Sequence, residues 1–333
     1  MIRTVGRHDG REIREALLES ATSRIAVLNY GALMRDWRVF AAGRAVPCIL
    51  GFDSFPPYLT HSKSFGIVAG RVANRIANAT FPLGGETVTL VANEGAHHLH
   101  GGPAGLGKQI WEMETATGGL ILRHHSPEGA MGYPGRVDFE ISMALDGPTL
   151  TLTMTGAPDR PTPINLAQHN YYNLHGSGDT NGHLLEIDAE HYTPVDATLI
   201  PTGAVLPVAG TRLDFRQMTT PAAQDPAGVG VDLNLVLRPG RPVSAPAARL
   251  IGPETGLGLT VVTDQPGLQL FNAPTMAIAH PGHDGAQYGA FAGICLEAQK
   301  FPDSPNRPDW PSVIATPEEP YRQHLSLTIA PVA

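Results

Sequence analysis

Thr149–Thr155 reads T-L-T-L-T-M-T, a strict alternation of half-polar and apolar side chains. Successive side chains of a strand point to opposite faces, so a period of two puts Leu150, Leu152 and Met154 on one face and the threonines on the other. The runs Arg24–Asn29, Glu86–Val91, Val137–Leu145, Leu184–Ile187, Leu257–Thr263 and His324–Ile329 are strand-like as well, through alternation or β-branched enrichment. Each is bounded by Gly, Pro, Asn or Asp, the residues that end strands. No stretch sustains an apolar pattern at the helical period. Residues 10–20 are ambiguous: Ile13, Ala16 and Leu17 fit a helical face, yet the segment is short and leads straight into a strand. The expectation is an all-β chain, two large antiparallel sheets packed as a sandwich, with few short helices. Arg216–Gly230 and Arg238–Ala247 are the most linker-like stretches, but neither is long or charged enough for a tether. Residues 1–333 are therefore read as one domain, with no fixed-period repeat.

Composition narrows the function. The chain has 23 basic and 31 acidic residues and a formal net charge of -8, which argues against a nucleic-acid partner. Only 16% of residues are charged, while glycine and proline number 37 and 30, a balance that suits a turn-rich β protein. Cys48 and Cys295 lie far apart in apolar surroundings and are read as free, buried thiols in a reducing compartment. The start of the chain lacks the apolar core of a signal peptide, and no run approaches the ~20 apolar residues of a membrane span. The default is a soluble cytoplasmic protein, monomer or homodimer, with no membrane partner.

Five stretches set polar groups inside apolar sequence, where an unpaired polar group is costly. In G-R-V-A-N-R-I (70–76), Arg71 and Arg75 stand four apart, which in a strand gives them one face from which to fork onto oxygens. In A-H-H-L-H-G-G (96–102), His97, His98 and His100 invite a metal reading, yet no acidic or cysteine ligand is close in sequence. A histidine before Gly-Gly also suits a turn where backbone approaches a small molecule. The stretch N-L-A-Q-H-N-Y-Y-N-L-H-G (165–176) offers His169 and His175 among groups that suit a polyol. In G-V-D-L-N-L-V-L (230–237), Asp232 and Asn234 share a face; in G-I-C-L-E-A-Q-K-F-P (293–302), so do Cys295, Glu297 and Gln299. A carboxylate drawn partly from water has a raised pKa and becomes a usable base near pH 7.

Taken in order, these stretches resemble the aldose 1-epimerase family, the galactose mutarotases. The resemblance continues through F-P-L-G-G-E-T-V-T-L, G-L-G-K-Q-I-W, Y-T-P-V-D-A-T-L-I-P-T-G and D-Q-P-G-L-Q-L, and runs from about residue 25 to about residue 328. It implies a galactose-mutarotase-like β-sandwich and interconversion of the α and β anomers of a free aldose, a hexose such as galactose or glucose, or a pentose. Carried onto this sequence, it implies Glu297 as general base and His169, protonated, as general acid. Arg71, near the ring oxygen, His100 and Asp232 would contact the sugar, with Asn74, Gln269 and Tyr171 completing the binding set. It implies neither metal nor organic cofactor. The chain departs from the family pattern at His97, Met131, Ala167, Gln168 and Leu233, and the last two are read as altering the walls of the sugar site. Two other classes compete: a non-catalytic sugar-binding protein of the same fold, and a glycoside hydrolase, which needs two carboxylates flanking the bond.

Overall fold

A computed structural model describes residues 2–41, 43–62 and 64–332. Antiparallel strands dominate, and two α-helices of four residues each, Pro57–Thr60 and Pro221–Gln224, are the only ones among the described residues. Both begin on proline, whose fixed φ suits the first helical turn, and Thr220 caps the second by accepting a hydrogen bond from the Ala223 N–H.

Thr149–Pro158 lies near the middle of an eight-stranded sheet. In order across the sheet, the strands are Glu112–Ala116, Gly119–Ser126, Val137–Asp146, Thr149–Pro158, Tyr321–Pro331, Leu257–Thr263, Ala248–Gly252 and Leu184–Ile187. Its alternation is kept: Leu150, Leu152 and Met154 are buried, and the threonines stay half-buried, with the Thr149 and Thr328 hydroxyls 2.9 Å apart across a strand pair. Facing it is a six-stranded sheet ordered Tyr171–Tyr172, Ile294–Gln299, Gly267–Phe271, Asp232–Leu237, Ala189–Thr193 and Leu206–Pro207. Leu235, Leu268, Leu270, Leu296 and Ala298 from the six-stranded sheet join Leu150, Leu152, Leu259 and Leu327 from the eight-stranded one in a single apolar core. The result is the expected β-sandwich.

The N-terminal region adds a five-stranded meander, Ile2–His8, Arg11–Glu19, Ser23–Leu28, Met34–Ala41 and Arg44–Pro47. Residues 11–19 are thus a strand. The local helical spacing yields to cross-strand pairing, and Glu15, buried in mid-strand, is held by Arg3 and Arg35. Arg238–Ala247 crosses from the six-stranded to the eight-stranded sheet, and Arg216–Gly230 connects two strands of the six-stranded one, so both are connections within the sandwich. Cys48 and Cys295 are free and buried. Among the described residues, no helix is long and apolar enough to cross a membrane.

The core alternation has a direct test. Leu152 is fully buried, so Leu152→Ala should lower unfolding free energy by about 2–5 kcal/mol, the usual cost of such a cavity. Urea denaturation of the two proteins measures it.

Candidate active site

The six-stranded sheet turns its apolar side chains to the core, which leaves every second residue on the opposite face. There the register aligns Asn234 with Gln269 and Gln269 with Glu297, while Asp232, Phe271, Cys295 and Tyr171 form the adjacent row. Polar groups from three strands, far apart in the chain, thus meet as one buried ladder. Gly267 belongs to it: a Cβ there would lie 2.5 Å from Asn234 Oδ1, so only glycine leaves room for that amide to lean over the strand.

Over this ladder stands His169, in the loop beyond the short strand Ala167–Gln168. Its Nε2 is 3.6 Å from Glu297 Oε1, and both side chains are about 95% or more buried. Tyr171 stacks on the imidazole at 5.2 Å between ring centroids, and His100 meets it edge-on at the same separation. Cys295 Sγ lies 3.7 Å from His169 Nδ1. Glu297 Oε2 and Gln269 Oε1 are buried without hydrogen-bond partners, acceptors that a polyhydroxylated molecule would satisfy.

Burial acts on the pair in opposite directions. It pushes Glu297 well above the ordinary carboxylate value, with nearby Asp232 adding and Arg75 opposing. It pulls His169 down to about 4, slightly offset by the ring's own backbone carbonyl. The sequence suggests carboxylate and imidazolium, whereas the sugar-free site favours carboxylic acid and imidazole. Both arrangements hold the same single proton, and separated charge is the one that desolvation penalises.

His100 enters through a tight loop with φ of 51°, and Gly101 follows where a Cβ would collide with the Gly70 carbonyl at 1.8 Å. Its Nδ1 accepts the Asn74 backbone N–H at 3.2 Å, which puts the single proton of the neutral ring on Nε2. Asn74 takes a left-handed φ of 61°, a conformation asparagine tolerates, and its Oδ1 accepts the Arg75 N–H. That residue breaks the strand period, so Arg71 and Arg75 do not share a face.

Arg71 is consequently not at the ladder. Its guanidinium donates to the carbonyls of Pro134 and Gly135 and to Ser126 Oγ, and lies over the Tyr133 ring. Arg75, which the resemblance did not single out, stands at the ladder instead: it is held by Glu94 at 2.5 and 2.9 Å and reaches within 3.7 Å of Asp232 Oδ2, whose Oδ1 accepts from Gln269 Nε2. Glu94 and Cys295 are contacts that sequence reasoning did not assign. The alternation C-L-E puts Cys295 beside Glu297, but only the fold brings a histidine to that thiol. Beside His100 and Glu94 opens a cavity of about 610 Å³, bordered also by Tyr30, Phe65, Ile67 and Lys108.

The departures fall mostly behind the site. Leu233 points to the main core, opposite Asp232 and Asn234, and Ala167 packs in a second apolar cluster. The Gln168 amide donates to the Gly66 carbonyl and to Asn170. Met131 packs beside Gly102, and His97 accepts the Asn78 N–H. His98 is committed to Val91 O and the Tyr133 hydroxyl, so the three histidines of 97–100 serve separate partners and do not converge on an ion. His175 packs against His183 at 4.0 Å. Among the described residues, His169, Cys295 and Glu297 are the one group whose donor atoms all lie within 4.8 Å of one another. The thiol faces Nδ1 and the carboxylate Nε2, and burial holds the thiol well above its ordinary pKa, an arrangement suited to proton transfer rather than thiolate ligation.

The profile of the aldose 1-epimerase family matches residues 15–328. The chain is 36% identical to the galactose mutarotase of Homo sapiens over 317 residues, covering 94% of this chain and 92% of that protein. It is 32% identical to the aldose 1-epimerase of Escherichia coli over 314 residues, covering 91% and 90%. An aldose epimerase homologue from C. elegans superposes with a TM-score of 0.89 at 28% identity, covering 96% of this chain and all of the other. A galactose 1-epimerase from Lactobacillus acidophilus gives 0.83 at 26%, covering 99% and 98%.

Two expectations follow from the geometry. Arg71→Ala strands buried carbonyls and should cost about 3 kcal/mol of stability, read by urea denaturation. Glu297 carries a raised folded-state pKa, so its stabilising protonated form is fully present below the unfolded carboxyl value and is lost as pH rises through the folded one. Glu297→Gln should therefore gain stability relative to the parent as pH rises from 5 to 8. Equal differences at both values would contradict the assigned burial.

Proposed function

The chain belongs to the aldose 1-epimerase family, and we propose that it interconverts the α and β anomers of a free aldose, with Glu297 as base and His169 as acid. The observation that carries this reading is the buried pair itself, one carboxylate and one imidazole 3.6 Å apart on the floor of a polar ladder. Two flanking carboxylates, which a glycoside hydrolase requires, are not what the pair offers.

The chemistry runs on one shared proton. Hydroxyls of the bound sugar hydrogen-bond to Glu297 and favour its charged form, moving the proton to His169. Glu297 then takes the proton of the anomeric hydroxyl, the C1–O5 bond breaks as C1 becomes a carbonyl, and His169 Nε2 delivers its proton to O5. Rotation about C1–C2 exposes the other face of the aldehyde. The O5 hydroxyl attacks it, its proton returns to His169, and Glu297 gives its own back to the new anomeric oxygen. Ring opening neutralises both side chains at once, so the water-poor setting that opposes the charged pair favours the step.

The remaining polar groups orient the sugar. Asp232, fixed by Gln269 and Arg75, accepts from ring hydroxyls. His100 donates through Nε2, the Gln269 carbonyl accepts, and Arg75, held by Glu94, takes the part that the sequence offered to Arg71. Asn74 acts mainly by shaping the His100–Arg75 corner, and Tyr171 by its stack on His169. The reading requires no metal or organic cofactor. It fits one sandwich domain working in a reducing compartment such as the cytoplasm, on a hexose such as galactose or glucose, or on a pentose.

Glu297→Gln and His169→Asn should each lower turnover at least about a hundredfold, the usual size of a positioned proton-transfer group. Polarimetry or NMR of anomerisation over galactose, glucose, xylose and arabinose is the test. No rate above buffer on any aldose would sink the enzyme reading, and near-normal activity in either variant would remove that residue from the mechanism.

A further inference from the structure

Cys295 and Glu297 emerge on the same face of one strand, two residues apart. His169 lies along that face with its two nitrogens differently engaged: Nδ1 is 3.7 Å from the thiol and Nε2 is 3.6 Å from the carboxylate. Tyr171, the register partner of Cys295, covers the flat of the ring, and His100 closes its edge. The imidazole is thus clamped on four sides, and the thiol is the contact whose chemistry is least expected. Cys48, the other cysteine, donates its S–H to the Val46 carbonyl.

We propose that Cys295 is a positioning residue for His169, holding Nδ1 so that Nε2 is the nitrogen that exchanges a proton with the sugar. This rests on His169 being the acid of the proposed reaction. The tautomer of a histidine is set by what its other nitrogen meets. A catalytic histidine whose Nδ1–H meets a carboxylate has its imidazolium stabilised. A thiol is a weak donor and a weak acceptor, so it fixes orientation while doing little for the charged ring. Nδ1–H meets sulfur in both the neutral and the charged ring, which leaves Nε2 as the nitrogen that takes up and gives off the exchanged proton. Burial, with Glu297 and Asp232 adding to it, keeps the sulfur a thiol, so it brings no negative charge to the ring. The other groups facing the ring are Glu297, His100, the Tyr171 ring and the ring's own backbone carbonyl; Asp232 and Arg75 act on Glu297. The carbonyl and the sulfur both accept from Nδ1–H and together keep that proton in place.

Cys295→Ala and Cys295→Ser test the assignment through kcat and KM against pH, together with the ¹⁵N shifts of the His169 ring, assigned by comparison with His169→Asn. The alanine variant should lose about tenfold in kcat with KM little changed, the lower range for removing an orienting partner, and its ring should shift toward the Nε2–H tautomer. The serine hydroxyl, a stronger acceptor, should restore much of kcat and move the acid limb of the profile to higher pH. Unchanged ring shifts and an unchanged pH profile in either variant would overturn the proposal, even if activity fell, because packing alone would account for the loss. Should the alanine variant not fold, the near-isosteric serine carries both readouts. Full activity in His169→Asn would instead defeat the reaction assigned above, and the ring shifts of the Cys295 variants would still decide the role of the thiol.

Discussion

Glu297 and His169 are almost wholly withdrawn from water, and neither has an opposite full charge at hydrogen-bond distance to offset that withdrawal. Much of the surrounding design follows from that constraint. Arg75 could neutralise Glu297, yet it is drawn to Glu94 and Asp232. The partner at His169 Nδ1 is sulfur, where a carboxylate would have anchored the charge. A fully compensated ion pair would be inert as a proton exchanger, because each partner would hold its charge too firmly. The site keeps its two titrating groups close, dry and poorly compensated, which leaves the one proton free to move.

The sandwich makes this possible by dividing labour between the two faces of the six-stranded sheet. One face supplies leucines to the main core and thereby fixes strand register. The other inherits that register as a ruler for its polar side chains. Asn234, Gln269 and Glu297 are level because Leu235, Leu268 and Leu296, their neighbours along the strands, are packed on the reverse side. A slip of one residue in any of these strands would bury the polar group in the core and expose the leucine, so fold stability and site geometry are protected together.

The sequence was most legible where period and function coincide. T-L-T-L-T-M-T, V-D-L-N and C-L-E each alternate, so strand and facing could be read from residues alone. Residues 11–19 were not, because Glu15 sits in mid-strand for the sake of Arg3 and Arg35, a tertiary reason invisible in a local window. The two arginines of G-R-V-A-N-R-I misled for a related reason. Their spacing implies a shared face only if the backbone between them stays extended, and the left-handed Asn74 ends that condition. The resting place of the proton was also beyond reach, since it depends on burial, which alternation only hints at.

The strand Tyr321–Pro331 sits between two neighbours, with Thr328 opposite Thr149 on one side and Thr260 on the other. A chain emerging from the ribosome must make both neighbours long before the piece that joins them. Until then each offers an unpaired edge, the feature by which strands recruit foreign chains. Pairing across such separations is slow to form, so the interval is not brief. A protein of this topology has its period of greatest exposure to aggregation during biosynthesis, ahead of any hazard it meets once folded, and it is there that assistance by chaperones would matter.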